Sequence, residues 1–257
     1  MFTAHRRSLS FLPFYFLCFT LKPDVLNFTP PPGRMSALPA RTLWVWERPE
    51  DLRALDTRTT ALATLDRTIV LGRTATVIPR RQSFLYPAGT TRIAVVRIEA
   101  LGLIGPDLEQ PTADLILETL TGPKVAALQV DFDARLSQRP FYIALLRDLR
   151  RRMPPDLPLS ITALASWCSS DDWLGGLPID EAVPMFFRME PDRRDAPADL
   201  PQFRIREPLC MGSIGISTRE PHPASLTGKR VYIFPDLGWR KDLPLISENN
   251  PAPRTTP

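Results

Sequence analysis

Eight short runs of apolar and β-branched residues recur between Arg41 and Trp239, and no other feature narrows the fold as much. They lie at Leu43–Trp46, Thr68–Leu71, Ile93–Ile98, Val125–Asp133, Leu159–Ala165, Glu181–Met189, Ser213–Ser217 and Arg230–Pro235. Stretches with helical spacing separate several of them, and such alternation builds a parallel α/β sheet with helices on its outer face. The clearest helix is Arg139–Met153, where Phe141, Leu145, Leu149 and Met153 recur every fourth residue beside the wetter Arg147, Asp148 and Arg150–Arg152. A second is Thr112–Leu120, with Leu115, Ile116 and Leu120 on one side and Gly122-Pro123 as its stop. Eight strands with crossovers in 257 residues predict a compact (β/α)8 barrel of TIM type. With 29 prolines, and with the span Pro191–Pro208 reading as a loop, the barrel is expected to be irregular on one side. The alternative is an open doubly wound sheet, but no Gly-rich phosphate turn follows an early strand, and Gly102-Leu103-Ile104-Gly105 has the wrong spacing.

The fourth run carries the chemistry. In Val125–Asp133 strand alternation sends Gln129, Asp131 and Asp133 to one face and Leu128, Val130 and Phe132 to the other. Two carboxylates on one side repel each other and resist desolvation, which drives paired acid pKa values apart. The competing reading is a strand end whose acids cap loops or meet arginines.

Barrel enzymes place their active groups at the C-terminal ends of the strands. That rule gathers Glu47 and Trp46 after the first run, Arg97 and Glu99 at the third, Asp131 and Asp133 at the fourth, Trp167 at the fifth, Arg188 at the sixth and Trp239 after the eighth. Acids and arginines that take hydroxyls, beside indoles that stack on sugar CH faces, suit a glycan or another small polar substrate. Each also has a packing alternative. One of Trp44 and Trp46 belongs to the core, Glu47 would cap the Pro49 turn, Arg97 would neutralise Glu99 or Asp131, and Trp167 would seal the barrel edge.

Composition excludes other classes. The formal net charge is +4, yet Arg150-Arg151-Arg152 is the densest basic run, and it closes a helix where cations suit the dipole, so nucleic acid is not an expected partner. Cys18, Cys168 and Cys210 lack metal-ligand spacing, and His5 and His222 are the sole histidines, so neither a metal nor another cofactor is expected, and no Ser-His-Asp triad. Cys168 and Cys210 would bridge in an exported chain and remain buried thiols in a reducing compartment. Arg6 and Arg7 precede the apolar stretch Leu9–Phe19, a pattern of export or membrane tethering, while Met35 offers a second start and a cytoplasmic chain. The expected organisation is a signal-like segment with a Pro-rich linker over 1–40, one barrel over 41–240, and a disordered tail over 241–257. Oligomeric state is not legible.

Leu128-Gln129-Val130-Asp131-Phe132-Asp133 resembles the fourth-strand signature of chitinase-like, family-eighteen-type glycoside hydrolases, which runs acid-apolar-acid-aromatic-Glu. More of the chain, from Arg41 to Trp239, resembles a bacterial family described as a domain of unknown function. Its landmarks here are Trp44–Leu52, Gln129–Ala134 and Leu159–Leu164. The hydrolase resemblance implies a barrel in which Asp133 stands for the general-acid Glu, Asp131 for the assisting Asp, and Gln129 for the first acid. It further implies substrate-assisted hydrolysis, in which the sugar's acetamido group attacks while Asp131 orients it. Two of the three acid positions differ from the family pattern. The second expectation is therefore a catalytically inactive barrel that binds carbohydrate or serves as a scaffold.

Overall fold

The computed structural model describes residues 33–187, 204–220, 226 and 228–246. Eleven strands follow in chain order: β1 (Arg41–Val45), β2 (Glu50–Asp51), β3 (Thr60–Leu71), β4 (Ala75–Pro79), β5 (Phe84–Leu85), β6 (Arg92–Ala100), β7 (Ala127–Asp131), β8 (Leu159–Leu164), β9 (Glu181–Met185), β10 (Ser213–Ser217) and β11 (Arg230–Phe234). Eight of them, β1, β3 and β6 to β11, close into a parallel barrel, because β1 pairs with β11 on one side and with β3 on the other. Closure removes the sheet edge and hides both faces, so these strands read as near-continuous apolar runs. β7 is buried along its whole length.

Alternation along each strand separates an inner core from an outer one. Trp44, Ala63, Leu65, Ile93, Val95, Ala127, Val183, Tyr232 and Phe234 meet inside the barrel. Leu128, Val130, Phe132, Ile161 and Ala163 face outward. They pack on the two long helices, α1 (Glu109–Leu117) and α2 (Arg139–Arg152). The basic run at the end of α2 is consumed locally. Arg151 and Arg152 pair with Asp148, Arg152 also reaches Asp114 of α1, and Arg150 donates to Leu157 O and Pro154 O.

Elsewhere among the described residues the helical coat thins. Only the five-residue α3 (Ala165–Ser169) follows β8, and α4 (Trp239–Asp242) follows β11. Between β3 and β6 the chain forms strands: β3 runs past its pairing with β1 and hairpins antiparallel onto β4, while β2 pairs with β5. The second run of the barrel core therefore begins at Thr60, eight residues ahead of the Thr68 expected, because alternating Ala61-Leu62-Ala63-Thr64-Leu65 is a strand with small inward residues.

The base of the barrel is closed from before β1. Met35, on the turn Arg34–Ala37, and Leu38 enter the inner core, so the packed unit starts upstream of Arg41. At the other end of the chain Leu243 and Ile246 pack on the outer core beside Trp239, which extends the ordered barrel past residue 240. Inside the base, Glu181 accepts from Arg230 Nη1 at 2.8 Å, Tyr232 Oη at 2.7 Å and Ser160 Oγ at 3.2 Å, and Ser160 Oγ in turn accepts from Gln129 Nε2 at 2.9 Å.

Cys168 of α3 and Cys210 form a disulfide, both buried, with Cα atoms 5.9 Å apart. The backbone N–H groups of Arg206 and Glu207 donate to Cys168 O, pinning the chain on its return toward β10. The crosslink spans a sequence separation of 42, which in the loop-entropy picture contributes about 2–4 kcal/mol. Reduction, or Cys168→Ser, is expected to lower Tm by several degrees in a calorimetric scan. An unchanged Tm under reducing conditions would show that the thiols are not joined in solution.

Candidate functional site at the barrel mouth

β7 delivers Asp131 as its last residue, with 3% exposure, and Asp133 two residues past the strand end. The strand thus stops short of the expected Asp133. A tight turn, with Ala134 N–H donating to Phe132 O at 2.8 Å, carries Asp133 out to the surface while Phe132 stays in the outer core.

Both oxygens of Asp131 are engaged. Oδ1 accepts from Thr162 Oγ1 at 2.7 Å, and Oδ2 accepts from Arg97 Nη1 at 2.8 Å. The geometry follows from strand register, since Arg97 of β6 lies directly opposite Asp131 and Thr162 stands on the adjacent β8. Arg97 also donates through Nε to Glu99 at 3.0 Å, and its guanidinium sits 6.0 Å from the Trp46 ring centroid. Trp46 itself leans on Trp44 and Phe234, half-buried at the top of the inner core. Five of the sequence candidates therefore meet at one mouth: Trp46, Arg97, Glu99, Asp131 and Asp133.

The two acids differ in environment. Burial raises the pKa of Asp133 above its ordinary value, and the negative charge of Asp131 raises it further against the opposing pull of Arg97. Burial disfavours charge on Arg97, but the carboxylates of Asp131 and Glu99 outweigh it and its pKa is raised. Behind the pair, burial together with the charges of Asp131 and Asp133 pushes Tyr142 well above its usual value, keeping that phenol neutral. The result is one acid locked in an ion pair and one, more solvated, that holds its proton to higher pH.

Other candidates occupy structural positions. Gln129 points inward but lies one layer below the mouth, bonded to Ser160. Glu47 sits on the surface, where Oε1 accepts from the backbone N–H groups of Arg81 and Gln82 at 2.9 and 2.7 Å, so it caps the loop between β4 and β5. Trp167 is buried in the outer core, edge-on to Trp173 at 4.8 Å. Trp239 is buried on the opposite outer side, its indole N–H donating to Trp44 O at 2.7 Å and its backbone N–H to Glu50 Oε2. These three are corrections to the sequence reading. A strand-end position does not say whether the next side chain turns toward the axis or back over the outer face. Arg188 and His222 fall outside the described residues.

Thr162 was not singled out from sequence, although its place in Leu159–Leu164, on the inward parity two residues after Ser160, is the signal that marks it. Among the described residues no group of His, Cys, Asp and Glu is arranged to hold a metal ion.

Residues 88–186 match the model of a domain of unknown function, DUF3142. The match is less than half the chain but runs from just before β6 to just after β9. It therefore contains Arg97, Glu99, Asp131, Asp133, Thr162 and Glu181, and leaves Trp46 outside. The family description carries no activity, and nothing in it leads to chitinase-like hydrolases. No curated protein and no solved structure matches the chain.

Proposed function

We propose that the mouth of this barrel binds a glycan and hydrolyses a glycosidic bond with Asp133 as the proton donor. The observation that carries the reading is the pair of unlike carboxylates: Asp131 held by Arg97 and Thr162, and Asp133 shifted toward the protonated form beside it. A general acid needs its pKa raised toward the working pH, and a fixed neighbouring charge does this without chemistry of its own. Trp46, half-exposed beside Arg97, offers an indole face on which a pyranose ring can stack.

In the substrate-assisted scheme Asp133 gives its proton to the leaving oxygen as the C–O bond breaks. The substrate's acetamido oxygen bonds to the anomeric carbon, and water later opens that ring and returns a proton to Asp133. Because both Asp131 oxygens already accept a hydrogen bond, its contribution is mainly the field that keeps Asp133 protonated. The Cys168–Cys210 bridge is the kind of crosslink that exported proteins retain, which supports an extracytoplasmic glycan as the substrate.

The test is incubation of the purified chain with polysaccharides rich in acetamido sugars, glucans and bacterial cell-surface polymers, reading new reducing ends. Retained binding with no release from any of them would turn the reading to a binding-only barrel. Given turnover, Asp131→Asn is expected to move the alkaline limb of the kcat/KM profile to lower pH. Asp133 acts protonated, so activity falls as pH rises through its pKa, and loss of the Asp131 charge lowers that pKa toward 3.8. A limb that stays in place in Asp131→Asn would remove Asp133 from the role of acid.

A further inference from the structure

The same end of the barrel that carries the acids also carries the most solvent-exposed leucines. Leu103, Leu101 and Leu136 are 90%, 76% and 75% exposed, more than any other large apolar side chain among the described residues. They belong to the loops that follow β6 and β7, and the two loops are joined, since Gln138 Nε2 donates to Gly102 O at 3.3 Å. Leu101 extends the β3–β6 pairing by donating its N–H to Leu71 O, and its side chain passes over Gly72. Leu164, at the end of β8, and Leu237, after β11, are exposed on the same face. The other open apolar side chains among the described residues, Met211 ahead of β10, Ile78 of β4, Leu85 of β5 and Leu245 near the end of the described chain, reach no more than 50% exposure, so the most open ones are concentrated in the loops after β6 and β7.

Such an asymmetry is costly in water unless something covers it. The charge beside the leucines indicates what does. Arg73, on the turn beneath Leu101, and Arg135, next to Leu136, are exposed, and neither makes an ion pair among the described residues. Leucines at loop tips with arginines at their base match an interface between acyl chains and anionic headgroups. Glu99, the acid just ahead of Leu101, is paired with Arg97.

We propose that the barrel docks mouth-first on an anionic lipid surface through Leu101, Leu103 and Leu136, with Arg73 and Arg135 contacting the headgroups. The site would then meet glycans presented at a membrane. The docking itself is independent of whether the acids turn over substrate, so its test can fail without touching the hydrolase reading.

The full chain is floated with vesicles of phosphatidylcholine and phosphatidylglycerol, beside the triple variant Leu101→Ser, Leu103→Ser, Leu136→Ser, whose fold is checked by circular dichroism. At least a tenfold lower partition coefficient is expected in the triple variant, and a marked loss for the wild type when phosphatidylglycerol is omitted. Because other parts of the chain can contribute to flotation, Leu103→Trp is also compared with wild type in vesicles of brominated lipid, where extra quenching places position 103 among the acyl chains. No difference between wild type and triple variant, or no extra quenching at position 103, overturns the proposal. So does leucine-dependent self-association seen by ultracentrifugation in place of vesicle binding, which would assign the patch to a second copy of the chain.

Discussion

Asp133→Asn is expected to lower kcat on a cleaved glycan by about 10²–10⁴-fold, the usual weight of a general acid. The substitution keeps the size of the side chain and removes its ability to deliver a proton together with its charge. Asp133 lies past the end of β7 and its side chain takes part in no hydrogen bond among the described residues, so its substitution should leave folding intact. Loss of the unfavourable neighbour to Asp131 is expected to leave Tm equal or slightly higher. Glycan affinity should change little, because in the proposed mode a sugar would stack on Trp46 and meet Arg97 or Glu99 through its hydroxyls, contacts that would not involve the proton. The informative pattern is thus a collapse in kcat with KM and Tm retained. Full turnover in Asp133→Asn would exclude it as the acid, and a parallel loss of Tm would mean that the residue supports the fold.

The barrel was legible because its pattern is redundant. Eight apolar runs each bury both faces, so an error at one boundary, such as the start of β3, leaves the count and the topology unchanged. The position of Asp131 at the mouth was legible for the same reason, since Leu128, Val130 and Phe132 are apolar enough to fix the outward face and therefore the inward one. Contacts that depend on register between strands were not legible. Thr162 meets Asp131 only because β8 pairs with β7 at one particular offset, and nothing within Leu159–Leu164 encodes that offset. The aromatic candidates failed on a related point. Trp167 and Trp239 follow strand ends, as mouth residues do, but the short helices α3 and α4 turn them back over the outer face, where an indole covers more apolar surface than it would at an open rim. Glu47 caps not the Pro49 turn of its packing alternative but the loop at Arg81 and Gln82, more than thirty residues away in the chain, a contact that no local pattern encodes.

Glu181→Leu is expected to destabilise the fold by about 3–5 kcal/mol, the cost of removing one partner from a buried ion pair. Leucine fits the site in size, so the loss is electrostatic. Arg230 Nη1 is left without its carboxylate while its side chain stays almost fully enclosed, and Tyr232 loses the acceptor for a hydroxyl that burial keeps protonated. Arg230 cannot swing out to water without releasing Pro39 O and Met35 O, the contacts that fasten the segment before β1 across the barrel base. Sequence reading placed Glu181 merely at the start of a strand, yet the inward parity of β9 puts it against β8 and β11 at once, through Ser160 of the first and Arg230 and Tyr232 of the second. Urea denaturation should show a lower midpoint with an unchanged slope. Adding Arg230→Met to Glu181→Leu should recover most of the loss, since a base without either charge leaves no unpaired ion. Additive rather than compensating losses in that double variant would mean that Arg230 stabilises the base through its carbonyl contacts and not through Glu181.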